Sequence, residues 1–211
     1  MRTKLILTTA AFGVASLGAL AQVYSVNAVG YINVTVPKSG YALIVNQLNT
    51  ADGNKIGTVL PSVPEDTIVF THSQAGGFKA NQYSFGAWTD AAATLNPGQG
   101  FFIQNTGAAD FTVTLVGEVP QGSLTTPLAQ GLNLVGSQVP QAGKLSTDLA
   151  FPAGENDVVF QWNAAAQSYK AASQYSFGAW DPAEPTIAVA EAFFTDKAAA
   201  GSWARTFSVN N

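Results

Sequence analysis

The sequence of 211 residues contains no cysteine and only one histidine, His72. Disulfide bonds are therefore excluded, and one chain offers too few thiolate and imidazole ligands for the usual zinc and iron centres. Oxygen ligands for calcium occur at Asn49, Asp52 and Asn54 around Gly53. The distal glutamate of a calcium loop is missing, however, and an Asp-Gly turn explains the segment. We expect no metal and no cofactor.

Catalytic motifs are equally scarce. His72 and Ser73 are neighbours in a segment that resembles a strand, so their side chains would point to opposite faces and could not act as base and nucleophile together. The Gly-x-Ser-x-Gly motif of hydrolases is absent, and Gly98-Gln99-Gly100 lacks the third glycine of a dinucleotide-binding loop. The sequence predicts no catalytic residues, and a small secreted hydrolase is only a remote alternative.

Charged residues make up 10% of the chain, less than half the usual fraction, and the net charge is −4. An acidic surface is a poor match for a phosphate backbone, so we expect no nucleic-acid partner. Neutral polar residues are abundant instead. Such a surface repels its neighbours weakly, which favours self-association or contact with a neutral polysaccharide.

The one long apolar run lies at the N-terminus. Arg2 and Lys4 precede an uncharged run from Leu5 to about Ala19, and the small residues Ala19 and Ala21 follow. This order is typical of a secretory signal peptide, which we predict over residues 1–21. The protein is then exported to the periplasm, the cell surface or the medium. We expect no transmembrane segment after cleavage.

Strand-like alternation dominates the rest of the chain. Even positions from Tyr24 to Val36 are mostly apolar and odd positions mostly polar, a period of two that predicts a long strand with one buried face. Turn signals such as Pro37–Gly40 recur about every 8–12 residues, and no long stretch has helical periodicity. The pattern predicts an all-β fold of the sandwich or small-barrel type, with little helix.

The heptapeptide QYSFGAW occurs twice, at Gln82–Trp88 and Gln174–Trp180. Seven identical residues at this spacing indicate an internal duplication. Apolar positions around the two copies also correspond. We predict two homologous tandem β-modules related by a pseudo-twofold axis. The first, with the N-terminal strand, spans residues 22–117, and the second spans residues 118–211.

The opening of each predicted module follows the pattern Gly-x-(Asn/Ala)-Leu-(Ile/Val), at Gly40–Ile44 and Gly131–Val135. The first module also ends with Gly-x-Gly-Phe-Phe, at Gly98–Phe102, and the second keeps the phenylalanine pair at Phe193 and Phe194. This pattern resembles uncharacterised exported tandem β-repeat proteins of Gram-negative bacteria. The resemblance implies an envelope or extracellular location and brings no catalytic residue, because the group has no assigned reaction.

The repeated heptapeptide supplies the candidate ligand-binding residues. Sugar-binding β-modules stack pyranose rings on exposed aromatic side chains and hydrogen-bond them through neutral amides. Residues of these types are Tyr83, Trp88, Tyr175, Trp180, Gln82 and Gln174. The favoured alternative is that Phe85, Trp88 and their counterparts are core rings at the seam between modules. A bulge at Gly86 would bring the three rings to one side of the strand.

The N-terminal strand leaves two further alternatives. Tyr24–Val36 pairs with its own sheet or is added to the edge of a neighbouring molecule, and pairing within the chain is favoured. It has no full counterpart before the second module, where Pro120, Gly122 and Pro127 interrupt the pattern. Together these features favour a non-catalytic structural or adhesive protein of the cell surface or matrix. Carbohydrate binding by the heptapeptide residues is the alternative.

Overall fold

A computed structural model describes residues 28–209 of the chain. The predicted signal peptide and the first residues of the predicted N-terminal strand, Tyr24–Asn27, lie outside this range. The elements in chain order are β1 (Val29–Val36), β2 (Gly40–Val45), α1 (Ile56–Val59), β3 (Ile68–Ser73), β4 (Gly77–Ser84), β5 (Ala87–Trp88), β6 (Gly100–Asn105), β7 (Phe111–Glu118), β8 (Gly122–Leu128), β9 (Gly131–Val135), β10 (Gly143–Lys144), β11 (Val158–Asn163), β12 (Ser168–Tyr169), β13 (Ser173–Ser176), β14 (Ala179–Asp181), β15 (Thr186–Ile187), β16 (Phe193–Lys197) and β17 (Gly201–Phe207).

The predicted all-β fold is confirmed. Over residues 28–209 the chain forms antiparallel sheets, and its single helix, α1, is four residues long. The apolar spacing of Ile56 and Val59 places both side chains of that helical turn in the core. Within the same range no helix has the length and apolar character needed to cross a membrane.

The first half, residues 28–118, consists of two layers. Its main layer, here the first sheet, has the strand order β2-β6-β3-β4-β5. The second layer is the β1–β7 pair, and one hydrophobic core fills the space between the layers. Alternate strand residues point into this core, including Ile44, Phe101 and Ile103 from the first sheet and Ile32 and Leu115 from the pair.

Strand β1 pairs with β7 along its whole length, from Val29 opposite Glu118 to Val36 opposite Phe111. Its even-numbered residues face inward and its odd-numbered ones outward, as the alternation predicts. For the described part of this segment, the expected pairing within the chain is therefore confirmed. The alternative of donation to a neighbouring molecule has no support here, because this strand already has a partner.

The second half, residues 122–209, has the same order of connections. Its main layer, the second sheet, runs β9-β16-β11-β13-β14, with β12 on β11, and the β8–β17 pair covers one face. The sequence pattern predicts no full counterpart of the N-terminal strand, but β8 takes the equivalent place and pairs with β17 over seven residues, with Gly122 and Pro127 inside the strand. Pro127 is tolerated in β8 because the strand has a partner on one side only, so its missing N–H need not break a ladder.

The two main sheets pack face to face. Leu43, Val45 and Phe102 of the first sheet contact Leu134 and Phe194 of the second, and all five side chains are buried. The seam between the halves therefore contains the second phenylalanine of each pair, Phe102 and Phe194, and the leucines of the opening motifs, Leu43 and Leu134. The heptapeptides lie elsewhere. The predicted place of Phe85 and Trp88 at the seam was wrong.

Backbone hydrogen bonds also cross the seam. The amide of Val45 donates to the Ala190 carbonyl over 2.9 Å, and the buried side chain of Gln47 accepts from the Ala190 amide over 2.8 Å. Ala190 has a φ of 61°, close to the positive φ of Gly98 in the first half. The turn of the second half thus keeps positive φ with alanine, held by these two bonds.

Candidate functional site

The heptapeptide of the first half is a β-hairpin and contains no bulge. Ser84 pairs with Ala87 and Tyr83 with Trp88, so Phe85 and Gly86 are the two residues of the turn. Both have positive φ, 52° and 76°, as a type I′ turn requires. Pairing across this turn puts Tyr83 and Trp88 on one face, with ring centroids 5.3 Å apart. Gly86 is thus a turn residue, and the pair of rings shares one face without a bulge.

The second heptapeptide adopts the same conformation. Phe177 and Gly178 form the turn, with φ of 52° and 77°, between Ser176 and Ala179. Tyr175 lies opposite Trp180, again with ring centroids 5.3 Å apart. We call the segments Gln82–Trp88 and Gln174–Trp180 the aromatic hairpins.

Each aromatic hairpin displays a phenylalanine at its tip. Phe85 and Phe177 are both 100% exposed, whereas the sequence favoured Phe85 as a core ring. A bulky side chain is disfavoured at the first position of a type I′ turn, where asparagine is common, and the left-handed conformation costs about 1 kcal/mol or more. Neither backbone geometry nor core packing explains phenylalanine at this position in both hairpins.

In each aromatic hairpin, a glutamate carboxylate accepts hydrogen bonds from both amides of the turn. Glu65 accepts hydrogen bonds from the amides of Phe85 and Gly86 over 2.7 and 2.9 Å. Glu155 accepts from the amides of Phe177 and Gly178, both over 2.9 Å. The two glutamates thus make the same contacts in the two halves. Each hairpin tip is thereby fixed through charge-assisted bonds and has no free turn amide.

The predicted ligand-binding residues of the first hairpin face mainly inward. Trp88 is 7% exposed and belongs to the core of the first half, with Tyr83 packed partly buried against it. The Gln82 amide donates to Asp66 over 2.9 Å. This geometry leaves the edge of Tyr83, and no broad ring face of Trp88, at the surface.

The second hairpin is more open. Trp180 is partly buried against the core of the second half and donates through Nε1 to Ser146 Oγ over 3.1 Å. Tyr175 is half-buried and Gln174 is exposed. The structure thus brings each predicted tyrosine–tryptophan pair together, but the two pairs sit in different cores.

A second aromatic surface lies where the two main sheets diverge. A groove of about 260 Å³ opens there, and five aromatic side chains line it, without any charged one: Tyr41, Phe70, Phe78, Phe102 and Trp162. We call it the aromatic groove. The rings meet at angles from tilted to perpendicular, with centroids 5.5 Å apart for Phe102 and Trp162. Phe78, at its rim, is 53% exposed.

Hydrogen bonds to the backbone of Tyr41 fix two side chains at the aromatic groove. Trp162 Nε1 donates to the Tyr41 carbonyl over 3.1 Å, and the Gln167 amide bonds both the N–H and the carbonyl of Tyr41. His72 stands beside the groove, 5.1 Å from the ring of Phe78. Burial lowers the pKa of His72, which favours the neutral imidazole next to Phe78.

Other polar clusters in the described range are structural. Residues 28–209 contain no group of three or more histidine, aspartate or glutamate side chains arranged to hold a metal ion. The most buried ion pair joins Lys197 to Asp157, and the carboxylate also accepts from the amides of Gly154 and Ala198. Asp52 accepts from the hydroxyls of Thr50 and Thr58, which lower its pKa and close the Asp-Gly turn.

Sequence reasoning missed the tips and the groove for different reasons. The exposed tips of the hairpins could have been predicted from the sequence. Three strand-like residues stand on each side of the Phe85-Gly86 dipeptide, and glycine suits the second position of a type I′ turn. The aromatic groove could not have been predicted, because Tyr41, Phe78 and Trp162 lie on different strands and no local pattern links them.

Comparison with family models, with curated proteins and with solved structures finds no match for the chain.

Proposed function

We propose that this is a non-catalytic, exported structural or adhesive protein that makes its contacts through the tips of the two aromatic hairpins. The observation that carries the proposal is the complete exposure of Phe85 and Phe177 at turn positions that disfavour phenylalanine. Isolated exposed apolar residues are common on proteins. Two identical ones, each fixed by a glutamate, are better explained by contact with a partner.

The tips have the properties of anchor residues. Aromatic side chains dominate the energetics of protein contacts, and an anchor held rigidly loses little conformational entropy when it binds. Glu65 and Glu155 supply that rigidity by fixing the turn amides. Two anchors on one molecule also allow a weak single contact to become durable attachment when both bind.

The proposal includes tandem organisation and location. We propose that residues 22–117 and 118–211 are homologous modules related by a pseudo-twofold axis, supported by the shared strand order and the shared glutamate contacts. Export rests on the predicted signal peptide of residues 1–21. Membership of the exported tandem β-repeat proteins rests on the resemblance of the opening motifs.

Adsorption measurements test the role of the tips. Purified protein is passed over phenyl-terminated and hydroxyl-terminated films, and the adsorbed mass is recorded. We expect the double variant Phe85→Asn/Phe177→Asn to lose most of the adsorption on phenyl films while keeping its fold, because asparagine suits the turn.

The matched control is Tyr31→Asn. Tyr31 is 72% exposed on β1, away from both hairpins, so its loss removes a similar ring from another surface. This variant should adsorb like the wild type. Equal adsorption by the double tip variant and the wild type would contradict the proposal.

Carbohydrate binding is the second candidate, and the openness of the second hairpin favours it. Gln174 is exposed beside the half-buried Tyr175, so an amide and part of an aromatic ring are available together. An array of cellulose, chitin and xylan tests this. Binding that is lost in Tyr175→Ala but retained in the double tip variant would support it, and absence of binding to all three would count against it.

A further inference from the structure

We propose that the aromatic groove receives the phenylalanine tip of a second copy of this chain, so that copies associate head to tail. This inference rests on the proposed function, because it names a partner for the same tips. It joins the two exposed aromatic features that folding leaves unexplained: the fully exposed Phe85 and Phe177, and the open groove lined by Tyr41, Phe70, Phe78, Phe102 and Trp162.

The size and chemistry of the groove suit a phenyl ring. Its volume is about 260 Å³, and an apolar cavity of about 150 Å³ is known to take up benzene. The lining rings already meet one another edge to face, so an added ring could join the same arrangement. The groove offers almost no polar group to hydrogen-bond the hydroxyls of a sugar, which makes an apolar occupant the better fit.

Tip and groove also match in charge. No charged side chain lines the groove, so a charged occupant would lose its hydration without gaining a partner. The tip is neutral at its end, and the amides of Phe85 and Gly86 already donate to Glu65. Burial of the tip therefore leaves no turn amide unsatisfied. The low charge density of the chain adds little repulsion between copies.

The geometry directs the contact between molecules. Phe78 lies at the groove near the start of β4, and Phe85 follows the end of the same strand. Seven residues of extended chain separate them by roughly 20 Å. Neither tip occupies the groove of its own molecule, because Phe85 and Phe177 are both fully exposed. The contact therefore joins two molecules, and it is heterologous unless two copies exchange tips reciprocally. Heterologous contacts of this kind extend into rings or filaments.

Buried area predicts that each contact is weak. One phenylalanine buries about 150–250 Å², well below the roughly 1,200 Å² of a stable protein–protein interface. Association should therefore depend strongly on concentration and become durable only where many copies are held close together. That behaviour is expected of a component of a matrix.

Analytical ultracentrifugation over a wide concentration range tests the proposal with the full mature chain. We expect wild-type protein to form oligomers as concentration rises. The tip variant Phe85→Asn/Phe177→Asn and the groove variant Phe78→Thr should each remain monomeric. Phe78 is half-exposed, so threonine should be tolerated in β4, and thermal unfolding verifies that both variants fold. If Phe78→Thr does not fold, the half-buried Tyr41, which also lines the groove, is replaced by threonine instead.

Mixing the two variants gives the decisive result. The tip variant keeps its groove and the groove variant keeps its tips, so the mixture should form complexes of two or three chains and nothing larger. A mixture that stays monomeric, or a Phe78→Thr variant that associates like the wild type, would overturn the proposal.

The outcome is separable from that of the proposed function. Wild-type protein that stays monomeric at hundreds of micromolar, yet adsorbs to phenyl films through its tips, would overturn the self-association and leave the anchor role intact. Loss of neither property in the tip variant would overturn both.

Discussion

At the scale of single residues, the buried indoles of the two hairpins have different environments. Trp180 Nε1 donates to Ser146, whereas Trp88 Nε1 is buried without a hydrogen-bond partner. Gly57 occupies the position in the first half that Ser146 occupies in the second. A Cβ added at Gly57 would meet only Trp88 Cδ1, at 3.9 Å, an ordinary contact distance.

We therefore expect Gly57→Ser to stabilise the protein. A serine hydroxyl near Trp88 Nε1 would satisfy a buried donor, worth about 1 kcal/mol, and removing a helical glycine adds roughly 0.5 kcal/mol. Urea unfolding measures the free energy of unfolding. Gly57→Ala separates the two effects, since it improves only the helix. A serine variant no more stable than the alanine variant would mean that the indole gains no bond.

The second half has a buried ion pair at positions where the first half has neutral residues. Asp157 and Lys197, at 1% and 5% side-chain exposure, stand where the first half has the buried Thr67 and Asn105. The sheet registers establish this match, since Ile68 pairs with Gln104 and Val158 with Asp196.

Breaking the pair should be costly. Asp157→Asn leaves the Lys197 ammonium buried without its countercharge, and we expect a loss of about 3–5 kcal/mol in unfolding free energy. The double variant Asp157→Thr/Lys197→Asn carries the residues of the first half and should lose less than the single variant. Urea unfolding of Asp157→Thr, of Lys197→Asn and of the double variant completes a double-mutant cycle. Additive losses would contradict direct coupling.

His72 makes stability depend on pH. Burial lowers the pKa of the imidazole below its unfolded value near 6.5, so the unfolded state binds the proton more strongly. The contribution of this group is full above pH about 6.5 and is lost as the pH falls through that value toward the folded pKa. Urea midpoints at pH about 7.5 and 5.5 should fall more for the wild type than for His72→Gln. An equal fall of the urea midpoint in both proteins would mean that carboxylates, and not His72, cause the pH dependence.

At the scale of elements, substitution at Phe85 can make the turn of the first aromatic hairpin more stable. Phe85→Asn replaces a bulky residue at a φ of 52° with one that tolerates positive φ, and it removes no buried contact because Phe85 is fully exposed. We expect unchanged or higher stability, by up to about 1 kcal/mol. Phe85→Val, a β-branched residue at the same φ, should instead destabilise the protein by about 1 kcal/mol. Urea unfolding distinguishes the two, and the reverse order would contradict the turn assignment.

Alternation and turn chemistry predicted much of this architecture. The period of two predicted the buried face of β1, and Pro37–Gly40 predicted the turn that follows it. Both features depend only on residues that are close in sequence. The position of Phe85 was misjudged because hydrophobicity alone places a phenylalanine inside. Glu65 binds amides twenty residues away, and Ala190 keeps positive φ through bonds from the other half. Such long-range contacts leave no local pattern.

At the scale of the whole molecule, the seam decides whether the halves unfold together. Phe102 and Phe194 of the two sheets lie 6.2 Å apart, and the side chain of Leu134 would collide with a Cβ at Gly100. Glycine at this position thus permits the close approach of the sheets. Because the main sheets share one apolar layer, neither half can lose its partner without exposing Val45, Leu134 and Phe194 to water.

Substitution of Gln47 is the most direct test of the coupling between the two halves. Its amide is buried and makes three bonds to the other half, donating to Ser137 and Val139 over 3.1 and 2.9 Å and accepting from Ala190 over 2.8 Å. We expect Gln47→Ala to lower the free energy of unfolding by about 2–4 kcal/mol, since buried partners lose their bonds. Ser146→Ala, which breaks the bond to Trp180 within the second half, should cost about 1 kcal/mol.

Cooperativity is the accompanying measurement. Wild-type unfolding followed by tryptophan fluorescence and by far-ultraviolet circular dichroism should give coincident single transitions, because the halves share the seam. Removal of Gln47 weakens the contact between the halves more than either core, so the two transitions should begin to separate in Gln47→Ala and stay coincident in Ser146→Ala. Two separate transitions already present in the wild-type protein would show that each half folds without the other, and the shared apolar layer would then contribute little to stability.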